Sequence, residues 1–275
     1  MAALDATGRV LEVRPLPLRH FLLRIRVDGM EPAAPGQFVM VAGADQAEPY
    51  LRRAFSVYGQ EPAGESALVI SLLGKVIGRG TAALAACTTG ADVPVLGPLG
   101  RGFHTMAWSA ASDVRSALVA GGIGSAGLGL LAQALARAGR PFDFYYGGRG
   151  AGDLVEADEF RRLSESTGGR LVRTTEDGSA GARGLVTEAL LKALEDGKAR
   201  AAAAYSAVYT CGPHGLMAAV ARIAADHGIE GQAAMETPMG CGYGACLGCA
   251  VELRKGGYAL CCRHGPVFDL EEVVW

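Results

Sequence analysis

The first hundred residues alternate short apolar segments with turns. FLLRIRV (Phe21 to Val27) mixes apolar and polar positions, whereas GQFVMVA (Gly36 to Ala42) and ALVISLL (Ala67 to Leu73) are compact apolar runs. Glycine and proline residues separate these segments, which is typical of strands joined by tight turns. The pattern predicts a small antiparallel β-barrel over residues 1–107.

From about residue 112 the pattern changes to strands that alternate with helices. The alternation predicts a doubly wound parallel α/β sheet over residues 108–231, with helices on both faces. Residues 232–275 fit neither pattern and are predicted to form a small third domain. The predicted strands are SALVA, FDFYYGG, RLVRTT and YSAVYTCG, and the predicted helices are LGLLAQALARAG, LVTEALLKALEDG and GLMAAVARIAADHG.

One apolar segment is long enough to raise the question of a membrane span. Residues Ser116 to Ala136 are uncharged over 21 positions, close to the roughly 20 that a span needs. Five of these residues are glycines, which favours a strand, a turn and a helix buried inside a domain.

Composition and charge exclude some classes of partner. The chain has 275 residues, of which half are hydrophobic and a fifth are charged, enough for two domains and an appendage. The net charge of −2 and the lack of a basic run indicate neither nucleic acid nor a membrane surface as a partner. The first residues contain Asp5 and lack the apolar run of a signal peptide, so we expect a cytoplasmic protein with reduced thiols.

Five of the seven cysteines lie between residues 241 and 262. Cys241, Cys246 and Cys249 have the C-x4-C-x2-C spacing of plant-type [2Fe–2S] ferredoxins, and Cys261 or Cys262 supplies a fourth thiol. Cys262 is favoured because it precedes the Gly-Pro turn of RHGPVF. A zinc site is one alternative, although zinc sites more often have two C-x2-C pairs, and a disulfide knot is the other. Glycines surround the cluster motif and would let backbone N–H groups face the sulfurs: Gly240, Gly242, Gly244 and Gly248.

Two segments of the barrel have residues suited to a flavin nucleotide. In LRRAFSVYG, strand alternation places Arg53 and Phe55 on one face and Ser56 on the other. A guanidinium suits a diphosphate and an aromatic ring suits a flat ring system, but an edge strand with a solvated arginine fits equally well. In GKVIGRGTAAL, Gly80 and Thr81 stand at the start of a helix, where they would hold phosphate or only cap the helix.

Two glycine turns indicate a dinucleotide. Gly122, Gly124 and Gly127 form G-x-G-x-x-G directly after a strand and at the start of a helix, which is the context that the motif requires. The motif usually has an acidic residue about 20 positions later. The candidate here is Asp143, but it lies early in its strand and not at the usual place. YTCGPHGLM repeats the strand-turn-helix arrangement, and its Cys211 fits a buried strand end as well as a binding site.

Together these motifs resemble the ferredoxin–NADP reductase superfamily, in which a flavin-binding barrel precedes a nicotinamide-binding domain. PGQFVMV, RAFS, GGIG and CGP occur in the order of that superfamily. With CGYGACLGCAV and CRHGPVF, nearly the whole chain resembles the electron-transfer subunits of type B dihydroorotate dehydrogenases. The chain departs from the family pattern at Ala54 and at Ser125 to Gly127, where a proline is usual.

The resemblance implies three cofactors and a division of labour. Electrons from dihydroorotate, oxidised by a separate FMN-containing catalytic subunit in a heterotetramer, would enter through the cluster, pass to FAD and leave to NAD⁺. FAD would be bound by Arg53, Ala54, Phe55, Ser56, Leu73, Gly74, Lys75, Gly80 and Thr81. NAD would be bound by Gly121, Gly122, Gly124, Cys211, Gly212 and Pro213, and the [2Fe–2S] cluster by Cys241, Cys246, Cys249 and Cys262.

The chemistry of the cofactors agrees with this scheme, because a flavin can exchange a hydride with a nicotinamide and single electrons with a cluster. None of the five histidines lies in a recognisable acid–base constellation, so we expect no organic-substrate site in this chain. Two other functions stay open: a reductase subunit of another oxidoreductase, such as a ferredoxin:NADP⁺ complex or an oxygenase, and a zinc-stabilised binding module. Arg149 leaves the choice between NADH and NADPH open.

Overall fold

The N-terminal part of the chain forms the antiparallel sheet that its pattern predicts. The computed structural model describes residues 3–44, 50–104, 115–199 and 205–275. Seven strands hydrogen-bond in the order β4-β3-β7-β1-β2-β6-β5. The elements are β1 (Leu4–Leu16), β2 (His20–Asp28), β3 (Phe38–Val41), β4 (Arg53–Ser56), β5 (Gly59–Pro62), β6 (Ala67–Lys75), α1 (Arg79–Ala85) and β7 (Asp92–Leu99).

Strand β2 illustrates how this sheet divides its side chains between two faces. Phe21, Leu23 and Ile25 belong to the apolar core of the barrel. Leu22 lies on the opposite face and packs into a cluster that contains residues of the second sheet. The period of two along a strand therefore supplies one face for the barrel core and one face for the neighbouring domain.

The second sheet has the parallel, doubly wound arrangement. Its strand order is β11-β10-β9-β8-β12-β13-β16, where β16 is Val267–Asp269, and the order reverses between β8 and β12. A crevice at the carboxyl ends of these two strands is where ligands bind in such sheets. The elements are β8 (Ser116–Gly121), α2 (Ser125–Arg137), β9 (Phe142–Gly148), α3 (Ala157–Glu165), β10 (Leu171–Thr175), β11 (Ala182–Arg183), α4 (Val186–Ala199), β12 (Ala207–Cys211), α5 (His214–His227) and β13 (Glu230–Ala234).

The apolar segment from Ser116 to Ala136 is divided between β8 and α2, as its glycines predict. All six residues of β8 are buried inside the sheet. Among the described residues, we find no helix with the length and apolar character needed to cross a bilayer.

The C-terminal segment is small but is joined to the second sheet. It consists of the hairpin β14 (Ala250–Glu252) and β15 (Tyr258–Leu260), the short helix α6 (Cys261–His264) and β16 (Val267–Asp269). β16 pairs antiparallel with β13, so that Ala233 lies opposite Phe268. The predicted boundary after residue 231 falls inside β13, and the one after residue 107 lies outside the described residues. The division into three domains therefore stays a prediction.

A buried carboxylate fixes the amino-terminal edge of the parallel sheet. Asp143 is 3% exposed and lies early in β9. It accepts hydrogen bonds from Arg115 Nη1 (2.5 Å), from the backbone N–H of Arg170 (3.1 Å) and from the Tyr205 hydroxyl (2.8 Å). The carboxylate is thus on the edge of the sheet opposite the glycine turns, and its role is structural.

We predict that Asp143→Asn lowers the free energy of unfolding by about 2–4 kcal/mol, because the buried donors lose their charged acceptor. Urea denaturation of the purified chain measures the change. Asp158→Asn is the control, since Asp158 and Arg161 form an exposed pair on α3, and such pairs contribute about 0–1 kcal/mol. Equal destabilisation by the two substitutions would contradict the assigned role of Asp143.

Candidate functional site

A cavity of about 590 Å³ opens at the carboxyl ends of β8, β9, β10 and β12. Its volume lies in the range of about 300–1,000 Å³ that is usual for ligand sites. It includes five of the six residues assigned to NAD from the sequence, namely Gly121, Gly122, Gly124, Gly212 and Pro213. Charged residues that line it are Lys75, Arg149, Asp153, Glu176 and Glu236.

The glycines of the first turn have two different roles. Gly122 has a φ of +51°, and a Cβ on it would have no atom within 4 Å, so it faces open space. A Cβ on Gly124 would lie 2.5 Å from the carbonyl oxygen of Cys211, and one on Gly127 would lie 2.7 Å from Cys211 Sγ. Gly124 and Gly127 therefore let α2 approach β12 closely, and Cys211 lies beneath the turn as a buried packing residue.

Glu236 is a cavity residue that the sequence motifs do not indicate. It follows β13, so it stands at the same carboxyl edge as the two glycine turns. Its side chain is exposed to the cavity, and its Oε1 lies 4.0 Å from Cys211 Sγ. Desolvation within the concave site raises the pKa of Glu236 above its ordinary value. A search for acidic residues just after each parallel strand would have found it.

The two barrel segments assigned to FAD meet in space. The Arg53 guanidinium lies directly over Gly80, where a Cβ would overlap the Nε, Cζ and Nη2 atoms of Arg53. Arg53 Nη1 donates hydrogen bonds to the carbonyl oxygens of Leu51 and Arg52. The guanidinium is therefore fixed at the start of α1, next to a glycine that leaves room for it.

The other residues of these segments divide between core and surface. Phe55 is buried against Phe21, with ring centroids 6.1 Å apart, whereas Ala54 is exposed and Ser56 is half-buried. Thr81 Oγ1 accepts hydrogen bonds from the N–H groups of Ile77 (2.9 Å) and Gly78 (3.2 Å). The Thr81 hydroxyl thus caps the turn. A phosphate at this place would be met by the guanidinium of Arg53 and by backbone groups.

Residues Leu73 to Lys75 lie at the end of β6, on the side of the cavity. Leu73 is buried in the cluster shared with the second sheet, and Lys75 reaches the rim of the cavity. A Cβ on Gly74 would lie 2.7 Å from the rings of Phe21 and Phe55. The glycine at this position therefore lets the barrel core close beneath the segment.

The cysteine loop brings together four of its five thiols as two pairs. Cys249 Sγ lies 3.3 Å from Cys262 Sγ. The Cys246 side chain is close enough to Cys241 to help lower the pKa of the Cys241 thiol. Cys261 Sγ points elsewhere and contacts the carbonyl oxygen of Met235 at 3.5 Å. Of the two adjacent candidates, Cys262 is thus the one whose sulfur lies against another thiol of the loop.

The loop favours the thiolate form at Cys241 and disfavours it at Cys262. Burial raises the pKa of the Cys241 thiol, but N–H groups of Cys246, Tyr243 and Ala245 outweigh it and bring the pKa to about 6. Burial and the neighbouring sulfur of Cys249 raise the pKa of Cys262 to about 12. Bound cations would reverse that effect, because a metal deprotonates the thiols that ligate it.

The paired arrangement of the sulfurs suits a binuclear cluster. In a [2Fe–2S] cluster four thiolates are shared between two irons, and two pairs of sulfurs suit that distribution. Small residues leave space around Cys246 Sγ, which lies 3.6 Å from the position of a Cβ on Gly240 and 3.7 Å from one on Gly248.

The cysteine loop rests directly on the barrel. Gly242 is buried with a φ of +83°, and a Cβ on it would lie 2.5 Å from Met40 Cγ and 3.3 Å from Leu99 Cδ1. Met40 is on β3 and Leu99 is on β7. Met40, Leu99, Cys249 and Cys262 all belong to one buried apolar cluster. The cysteine loop and the flavin barrel are therefore in direct contact.

Comparison with protein families agrees with this geometry. The family model for the iron-sulfur cluster binding domain of dihydroorotate dehydrogenase B matches residues 236–274. The model for the oxidoreductase NAD-binding domain matches residues 118–222. The two matched ranges contain the cysteine loop and most of the second sheet.

Curated relatives match over most of their length. The electron transfer subunit of dihydroorotate dehydrogenase B (NAD(+)) from Desulforamulus reducens is 35% identical, over 88% of this chain and 87% of the relative. The subunit of the same name from Caldanaerobacter subterraneus subsp. tengcongensis is 33% identical over 98% of both proteins.

Solved structures share the fold. The structure of an NADH-dependent reduced ferredoxin-NADP oxidoreductase has a TM-score of 0.81 and 27% identity, covering 98% of this chain and 90% of that one. The ferredoxin reductase in carbazole 1,9a-dioxygenase has a TM-score of 0.67 and 21% identity, covering 83% of this chain and 67% of that one. The barrel followed by a parallel sheet is therefore a ferredoxin-reductase fold, as predicted.

We predict that Cys262→Ser reduces bound iron from about two atoms per chain to fewer than about one, because one thiolate of a pair is lost. Cys261→Ser is the matched control and keeps its iron, since the Cys261 sulfur points away from the loop. Iron analysis and visible absorption of anaerobically purified protein measure the outcome. Loss of iron from the Cys261 variant alone would reverse the assignment.

Proposed function

The chain belongs to the family of electron transfer subunits of dihydroorotate dehydrogenase B, and from this premise we propose that it accepts electrons from a partner that oxidises dihydroorotate, and delivers those electrons to NAD⁺. The observation that carries the proposal is the contact between the cysteine loop and the flavin barrel at Gly242. The nucleotide cavity opens beside the end of β6 of the same barrel. These contacts support an iron–sulfur site and a nicotinamide site next to one flavin-binding sheet.

We propose the following cofactor contacts. Arg53, with the backbone around Gly80, would hold the FAD diphosphate, and Leu73 to Lys75 would border the flavin on the side of the cavity. Gly121 to Gly124 and Gly212 would receive the dinucleotide at the ends of β8 and β12. The cysteine pairs would hold the [2Fe–2S] cluster. When bound, FAD would exchange a hydride with the nicotinamide and single electrons with the cluster.

The charges of the cavity support NAD rather than NADP as the nucleotide. Glu176 lines the cavity just after β10. Arg149, the residue that left the choice open, is paired with Asp153 at 3.2 Å. A 2′-phosphate near Glu176 would meet a like charge, whereas a ribose hydroxyl can donate a hydrogen bond to the carboxylate.

We propose a separate catalytic subunit, containing FMN, that joins this chain in a heterotetramer. The cysteine loop supports such a partner, because it exposes apolar side chains that no other part of the described chain covers. Tyr243 is 61% and Leu247 64% exposed, and both lie within three residues of Cys246. Leu247 also has a φ of +59°, a conformation that costs a leucine about 1–2 kcal/mol. Burial against a partner would remove the exposed apolar surface from water and would offset the cost of the backbone conformation at Leu247. The cytoplasmic location expected from the sequence stays a prediction.

A second candidate is a reductase subunit that serves a ferredoxin:NADP⁺ system. The 27% identity and the TM-score of 0.81 with the NADH-dependent reduced ferredoxin-NADP oxidoreductase favour it. The two functions differ in the partner, since this chain has the same three predicted cofactor sites in both cases.

We predict that this chain and the FMN-containing subunit from the same organism together reduce NAD⁺ with dihydroorotate, and that neither does so alone. The increase in NADH absorbance measures the reaction, and NADP⁺ should be at least about tenfold poorer as an acceptor. Oxidation of dihydroorotate by this chain without a partner would refute the division of labour. Co-purification with a ferredoxin:NADP⁺ partner instead would favour the second candidate.

We predict that Leu247→Gly weakens binding of the catalytic subunit about 10- to 100-fold, because burial of a leucine contributes about 1.5–3 kcal/mol. The unfolding free energy of the isolated chain should change by less than about 1 kcal/mol, since glycine tolerates a positive φ. Titration calorimetry and urea denaturation measure the two effects.

Leu11→Ala, which removes another exposed leucine on β1, is the control and should leave the affinity unchanged. Unchanged affinity of the Leu247 variant would exclude this loop from the interface.

A further inference from the structure

The barrel and the second sheet meet in a charged contact on the rim of the nucleotide cavity. Asp153 lies in a short turn after β9 and is 5% exposed. Its Oδ1 accepts a hydrogen bond from Lys75 Nζ at 3.0 Å, and its Oδ2 accepts one from Arg149 Nε at 3.2 Å. One carboxylate therefore joins the last residue of β6 to an arginine of the cavity wall.

The carboxylate is firmly in its charged form. Burial raises the pKa of Asp153, but the hydrogen bonds from Lys75 and Arg149 outweigh it and bring the pKa below its ordinary value. His20, which lies opposite Lys75 across the strand pair, does not compete for the carboxylate. The Nδ1 atom of His20 is hydrogen-bonded to the carbonyl oxygen of Pro17 (2.6 Å). Burial lowers the pKa of the His20 ring, so the ring is neutral at neutral pH.

The turn that carries Asp153 is held from both sides. On the barrel side, Leu18 packs against Gly152, where a Cβ would lie 2.8 Å from Leu18 Cγ. On the nucleotide side, the Tyr146 hydroxyl donates to the carbonyl oxygen of Val155 at 3.1 Å. The same hydroxyl is 2.8 Å from Ser125 Oγ, at the start of α2 and next to the glycine turn. A continuous set of contacts thus connects the glycine turn, the Asp153 turn and the barrel.

We propose that Asp153 is a positioning residue that couples the two cofactor sites, by holding Lys75 on the flavin side and Arg149 on the nucleotide side of one cavity. The inference rests on the proposed function, since it assigns Lys75 to the flavin segment and the cavity to the dinucleotide. Hydride transfer requires the two rings in a fixed close geometry, and misplacement by about 1 Å can lower the rate about 100-fold. Asp153 acts through Lys75 and Arg149 and does not itself transfer hydride.

A second ion pair between the two parts of the chain provides the matched control. Arg14 on β1 pairs with Glu156 at 3.1 Å. Neither residue lines the cavity. Loss of either carboxylate removes one bridge between barrel and second sheet, but only the loss of Asp153 also releases two cavity residues. Comparison of Asp153→Asn with Glu156→Gln therefore separates positioning from simple domain attachment.

The first test uses the full chain with bound FAD, mixed anaerobically with NADH in a stopped-flow spectrometer. We expect Asp153→Asn to slow flavin bleaching at saturating NADH about 10- to 100-fold, and Glu156→Gln to slow it less than about threefold. In a Lys75→Gln background, Asp153→Asn should add less than about threefold, because residues that act through one another are not additive. Equal effects of Asp153→Asn and Glu156→Gln, or full additivity with Lys75→Gln, would overturn the proposal.

The second test does not depend on turnover. Val76, next to Lys75, donates its N–H to the carbonyl oxygen of Arg19 at 2.8 Å, so its hydrogen exchange reports on this end of the barrel. ADP-ribose, added to the FAD-loaded chain, should slow that exchange in the wild type and in Glu156→Gln but not in Asp153→Asn. Equal slowing in all three proteins would overturn the coupling.

The two tests also separate the inference from its premise. A wild-type chain that neither binds FAD nor reacts with NADH refutes the proposed function and, with it, the inference. A reactive wild type whose Asp153 variant behaves like the Glu156 variant refutes the inference alone.

Discussion

The contact between the cysteine loop and the barrel is the constraint on which the rest of the arrangement depends. Gly242 can lie against Met40 and Leu99 only because it lacks a side chain. The same segment continues into β16, which pairs with β13 of the parallel sheet. The loop is thereby fixed to the barrel at one end and to the nucleotide sheet at the other. Because electrons are transferred only over short distances, a chain that joins three cofactor sites needs this kind of attachment, and the shared apolar clusters supply it.

The sequence predicts those parts of the fold and site that depend on local pattern. Alternation of strands and helices identifies both sheets, and the spacing of Cys241, Cys246 and Cys249 identifies the cluster loop, because local backbone geometry sets these spacings. Alternation along β4 also pairs Arg53 with Phe55, but it does not tell which face is the core. The structure buries Phe55 against Phe21, so the aromatic ring supports the barrel from within.

The parts that the sequence does not predict are contacts between segments far apart along the chain. Glu236 enters the cavity because β13 is parallel to β12, and Asp153 meets Lys75 because two sheets pack together. Neither acidic residue belongs to a motif. The choice between Cys261 and Cys262 is of the same kind, since neighbouring residues on a short helix point in different directions and only the position of Cys249 distinguishes them.

The charges of the cavity explain why net charge gives no information about the ligand. Lys75 and Arg149 are opposed by Asp153, Glu176 and Glu236 within one concave site, so cations and anions nearly cancel there as they do over the whole chain. What matters for a bound nucleotide is the separation of these charges. The two cations are held by one buried carboxylate, and Glu176 and Glu236 stand on other walls. A dinucleotide, which carries its negative phosphates between two ring systems, needs a separated pattern of this type more than it needs an overall positive field.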